Sequence, residues 1–122
     1  MRESSLTSSL ILALERLMPG CVVLKHFDSV TTGIPDLSIT WAGRTVWMEI
    51  KWAHPTYEMR ADQMETVRRL GMAGIAYYVI FESNPKMIII RQSNLDEDHD
   101  YGIPGHNYGM VAAFIRERIL AA

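Results

Sequence analysis

The sequence has one cysteine, Cys21, so no intrachain disulfide can form, and nothing in it points to an oxidising compartment. It also lacks a charge of one sign. Twelve Lys and Arg stand against 14 Asp and Glu, a net charge of −2. The broad basic footprint of many nucleic-acid binders is therefore absent, which leaves only local patches for such a role. Long apolar runs are missing too, with nothing near the ~20 residues that span a bilayer. The opening stretch "MRESSLTSSLILALERLMPG" has a short apolar part containing Glu15 and Arg16, and no small-residue cleavage site follows. It reads as an amphipathic helix rather than a targeting segment. Repeats, low-complexity tracts and linkers are absent as well. What is there is 122 residues, 48% hydrophobic and 21% charged. That suffices for one core and predicts a single domain over 1–122, soluble and cytoplasmic.

The apolar pattern predicts the order αβββαββα. Leu6, Leu10, Leu14 and Leu17 recur at helical spacing over Ser5 to Met18, and Pro19-Gly20 stops the helix. "CVVLKHF" is a strand candidate. "DLSITW" and "TVWMEIKW" form a hairpin about Ala42-Gly43. A second helix is expected from Ala61 to Leu70, then buried strands "AYYVIF" and "MIIIR". "QSNLDEDHDYGIPGHNYG" is read as a loop, and Tyr108 to Leu120 as the last helix. The strand–helix–strand unit from Trp47 to Phe81 predicts a parallel crossover, and so a small mixed β-sheet flanked by helices.

Charges interrupt the hairpin "GIPDLSITWAGRTVWMEIKW", Gly33 to Trp52. Side chains at i and i+2 of a strand share a face, so Glu49 and Lys51 project together. Most E-x-K tripeptides are solvated, ion-paired strand ends. Here, however, Asp36 follows Pro35 at the start of the neighbouring strand, because proline fixes its own φ and cannot donate to a ladder. Hairpin geometry brings that start beside the end of the next strand, so Asp36 and Glu49 converge. Two close carboxylates raise a pKa unless a cation intervenes. A hard, oxygen-seeking ion such as Mg²⁺ or Mn²⁺ suits them. Lys51 beside such a site would orient or deprotonate a water and stabilise developing charge.

"PD" followed by "ExK" on the next strand resembles the PD-(D/E)xK nuclease superfamily. "GIPDL", "GRTVWMEIK", "MRADQ" and "LGMAGIAYYVI" resemble its VRR-NUC branch, in particular small stand-alone phage and bacterial members. The resemblance covers Leu10 to Phe81 and implies a restriction-endonuclease-like α/β core. It implies Asp36 and Glu49 as metal ligands with the main-chain carbonyl of Ile50, Lys51 as the catalytic lysine, and Gln63 against the site. Lys25 also has a counterpart in related sequences. Related enzymes often carry a glutamate on the first helix, whereas that slot falls near Ser9 here. Glu3, two turns earlier, is the candidate substitute, although it also suits a helix N-terminus. The implied activity is a Mg²⁺- or Mn²⁺-dependent endodeoxyribonuclease leaving a 5′-phosphate and a 3′-hydroxyl. Family dimers cut branched DNA, so the implied partners are junction, flap or duplex DNA and a second copy of the chain. The implied setting is cytoplasmic, the host's if the chain is phage-encoded, with no membrane and no small-molecule cofactor.

Other residues have candidate roles beside ordinary ones. Arg44, Arg60, Arg68 and Arg69 would hold phosphates, or sit solvated on the surface. Trp52, just past Lys51, would stack on a base, while Trp47 reads as core. His54 and His106 would contact phosphate or act as bases, or are ordinary loop histidines, and Asp96 to Asp100, without EF-hand spacing or its glycine, read as a solvated acidic loop rather than a metal loop. "MIIIR", with Met110, Val111, Phe114 and Ile115, would supply a dimer interface. Two alternatives remain: a non-catalytic DNA-binding or assembly module on the same fold, and a restriction-type nuclease with sequence specificity.

Overall fold

The computed structural model describes residues 3–26, 35–53, 66, 69–70, 75–93 and 98–121. Helix α1 (Glu3–Leu17) forms where the leucines recur, and Leu6, Leu10, Leu14 and Met18 are fully buried while Leu12 is 65% exposed. It stops at Pro19-Gly20, where Gly20 takes φ +82°, a left-handed value that glycine adopts at little cost. Six strands follow: β1 (Val22–Lys25), β2 (Leu37–Trp41), β3 (Arg44–Trp52), β4 (Ala76–Ser83), β5 (Lys86–Ser93) and β6 (Asp98–Pro104). Helix α2 (Tyr108–Ala121) closes the order, capped by Asn107, whose Oδ1 accepts the Met110 N–H at 3.0 Å.

The strands form one sheet in the order β1-β2-β3-β4-β5-β6. Among the described strands only β3 and β4 run parallel, across the centre, as the crossover required. The β2–β3 hairpin turns on Ala42 (φ 53°) and Gly43 (φ 77°). Two consecutive positive φ values match the right-handed strand twist, so the pairing closes tightly at Trp41 and Arg44. Thr66, Arg69 and Leu70 are helical, and the rest of the expected second helix lies outside the described residues.

The sheet has two unlike faces. Leu37, Ile39, Met48, Ile50, Val79, Phe81, Ile88 and Ile90 pack against α1 and α2 in one core. On the other face Ala76, Tyr78 and Ile80 form a smaller cluster, packed against by Trp47, Ala53, Leu70 and Ile89. Ile88, Ile90, Val111 and Ile115 are thus consumed by the chain's own core and are no surplus for a dimer interface, while Met110 stays exposed. Among the described residues no helix is long and apolar enough to cross a membrane.

One expectation fails. The stretch read as a loop contains β6, paired with β5 from Met87↔Pro104 to Ser93↔Asp98. Asp, Gly and Pro signal turns locally, but the open edge of β5 supplies ladder partners, and Ile103 anchors the strand at 5% exposure. An edge strand tolerates such residues because only one side must pair. Arg91 also donates two bonds to Asp100 across this pair, at 2.7 and 2.9 Å, holding that carboxyl below the usual range.

The leucine stripe of α1 is testable. Leu10→Ala should cost about 2–5 kcal/mol, because a buried leucine leaves a cavity that closes only partly. Urea denaturation should show a lower midpoint at an unchanged slope.

Candidate active site

Strand pairing sets the site residue by residue. His26 donates its N–H to the Asp36 carbonyl at 2.9 Å, one step beyond Lys25↔Leu37. Leu37 faces Met48, and the register carried one residue further sets Asp36 opposite Glu49. His26, Asp36 and Glu49 therefore form one row across three strands, with neighbouring Cα atoms about 5 Å apart. The next row on the same face is Leu24, Ser38 and Trp47. Lys51, two residues past Glu49, shares this face and is half-buried beside Ile80.

Pro35 stands where the β2 ladder ends. The Ile50 N–H, which would face it, is taken by Asp36 Oδ2 at 2.9 Å. A strand residue points its N–H and C=O to the same neighbour. Trp47 and Ala53 donate toward β4, to Ile75 and Phe81. By alternation Ile50 turns its carbonyl to the Asp36 side.

Glu49 is 0% exposed, and among the described residues neither carboxylate oxygen has a hydrogen-bond partner. Its carboxyl is pushed up to about 9, first by burial and then by the Asp36 carboxyl beside it, with the Lys51 charge partly opposing. An orphaned buried carboxylate next to a second one is a donor set for a hard cation. Among the described residues no group of three or more His, Cys, Asp or Glu gathers to hold a metal. A groove of about 740 Å³ lined by Ser9, Leu12, Ala13, Arg16, His106 and Tyr108 lies between α1 and the start of α2. Those helices cover the opposite face, so the groove is separate from the carboxylates.

The other expected residues scatter. Trp52 lies on the helix-covered face, edge-on to His106 at 5.8 Å, because it is an odd number of residues from Glu49. Trp47, like Tyr78, is on the carboxylate face. Arg44 is five residues from Glu49, about 17 Å along the strand. It donates to the Ile119 carbonyl at 2.7 Å and so caps the end of α2. Lys25 is exposed at the sheet edge and pairs with Leu37, which assigns it to the face opposite Asp36. Glu3 opens α1, but its side chain lies outside the described residues, as do His54, Arg60, Gln63 and Arg68. Arg69 is exposed, and His106 bonds the Glu82 carbonyl at 2.8 Å. His26 was not anticipated, and only the pairing of segments ten residues apart reveals it.

No protein-family model matches the chain, and no curated protein matches it. Among solved structures it is similar to Hjc of Archaeoglobus fulgidus, a Holliday junction resolvase from an archaeal hyperthermophile. The TM-score is 0.52 at 15% identity, covering 93% of this chain and 97% of that one. At that identity the likeness establishes the fold, an α/β architecture shared with a resolvase.

The buried carboxyl sets a pH dependence. Folding raises the Glu49 pKa from 4.5 to about 9, so the protonated form is favoured in the native state. Its contribution to stability is full below the unfolded value and drains away as pH rises through the folded one. In chelator, the melting temperature of the wild type should fall across this window, and Glu49→Gln should flatten the fall. Mn²⁺ should then restore the wild type alone. Parallel pH profiles for the two proteins would contradict the assignment.

Proposed function

We propose that the chain is a metal-dependent endonuclease of the PD-(D/E)xK type that hydrolyses phosphodiester bonds in branched DNA. The observation that carries this reading is the buried Glu49 carboxylate, without a donor among the described residues and one cross-strand step from Asp36, with Lys51 on the same face. The junction-resolving neighbour supports branched DNA as the substrate class. The "GIPDL" and "MEIK" motifs support the finer VRR-NUC placement, in small stand-alone phage or bacterial proteins.

Asp36, Glu49 and the Ile50 carbonyl would hold Mg²⁺ or Mn²⁺, with Glu3 a further ligand if it reaches them. When bound, the cation polarises the scissile phosphate and lowers the pKa of a water. Asp36 has one oxygen committed to the Ile50 N–H, which fixes the carboxylate and leaves the other oxygen for the ion. Lys51 would act with its ammonium on the attacking water and on the charge developing on the phosphate. Gln63 would help position that water. Arg60 would contact the backbone at the rim, whereas the positions of Arg44 and Trp52 argue against the DNA contacts expected of them. Two copies about a two-fold axis would present two sites to a symmetric junction and double its cationic contacts.

Cleavage of a four-way junction in Mg²⁺ tests the reading. Asp36→Asn and Glu49→Gln should abolish it. Lys51→Ala should cut turnover by roughly 10²–10⁴-fold while Mn²⁺ affinity is retained. Junction binding without cleavage by the wild type would indicate the non-catalytic module instead. Light scattering should give a dimer mass on junction DNA.

A further inference from the structure

The row that holds the two carboxylates has a third member without a task in the reaction just described. His26 sits beside Asp36, its backbone N–H on the Asp36 carbonyl. Its ring is held twice. Nε2 is 2.8 Å from the hydroxyl of Ser38, which is only 4% exposed, and the ring tilts against Trp47 with centroids 4.9 Å apart at 35°. Nδ1 has no hydrogen bond among the described residues and is not among the buried unpartnered atoms. The two ring nitrogens diverge, so Nδ1 faces away from Ser38.

We propose that His26 is a phosphate-contacting residue, offering Nδ1–H to a non-bridging oxygen of the phosphodiester next to the one that is cut. This inference rests on the nuclease reading above. Three arguments support it. When the Ser38 hydroxyl donates to Nε2, the ring proton resides on Nδ1, a donor suited to phosphate. A ring already fixed by Ser38 and Trp47 loses little conformational freedom on binding. The row also needs such a donor. A phosphodiester must approach two carboxylates there; Lys51 serves the one that is cut, and for its neighbour Arg44 lies at the far end of the hairpin and Lys25 on the other face. A metal-ligand role for His26 is not supported, since no group of three metal-binding side chains forms among the described residues.

Two substitutions separate this role from a structural one. Asparagine sets its amide nitrogen near the place of Nδ1, and glutamine sets its own near the place of Nε2. On a junction substrate in Mg²⁺, His26→Gln should raise KM by about tenfold with kcat little changed, the signature of lost binding. His26→Asn should recover most of that affinity. If the His26–Ser38 bond served only the fold, the order would reverse, because Gln keeps that bond and Asn loses it. Junction binding measured with each substitution in an Asp36→Asn background gives the same comparison without cleavage, and melting curves identify any variant that is simply unfolded. Reversed order, or equal affinity in all three proteins, overturns the proposal while leaving the nuclease reading intact. Failure of the wild type to cut any branched substrate overturns both.

Discussion

Glu49 is a carboxylate closed off from water, with no donor for either oxygen among the described residues and a second carboxyl across the strand. A buried charge left in that state is costly, so the group must carry a proton or face a cation. The rest of the site follows from this constraint. Burial raises the affinity of the carboxyl for a proton and, for the same electrostatic reason, sharpens its preference for a divalent ion when one is present. Asp36, with one oxygen on the Ile50 N–H, adds to the shift, because its own carboxyl beside Glu49 favours the protonated form. Lys51 opposes the shift only in part.

The two faces of the sheet divide the work. One is apolar and covered by α1 and α2, which fixes the register of β2 and β3 because a slip of one residue would turn Met48 and Ile50 out of the core. That same register holds Asp36 opposite Glu49. The other face is apolar over β4, where Leu70 packs, and over β1 to β3 it carries His26, Asp36, Ser38, Glu49 and Lys51 among Leu24 and Trp47. Stability and chemistry are thus assigned to alternate residues of the same strands. The cost of burying Glu49 is borne by a core that Glu49 does not touch.

Much of this was legible in the sequence. The leucine stripe of α1, the turn at Ala42-Gly43, the proline that starts β2 and the i, i+2 spacing of Glu49 and Lys51 are local, and the structure forms the corresponding elements. The same alternation rule sets Trp47 rather than Trp52 on the face of Glu49, and adjacency to Lys51 was the weaker guide. Long-range pairing is what sequence reading missed. β6 exists because β5 has an open edge, which its own Asp, Gly and Pro residues do not announce. Arg44 is used by a carbonyl 75 residues away, and His26 enters the row through a register that no local pattern encodes.

The central claim is that Asp36 and Glu49 form one cation site. Anomalous diffraction from crystals soaked in Mn²⁺ measures it directly. The account predicts a single strong peak between the two carboxylates, beside the Ile50 carbonyl. Well-ordered carboxylates with no peak between them at saturating Mn²⁺, or a peak only elsewhere, would contradict it.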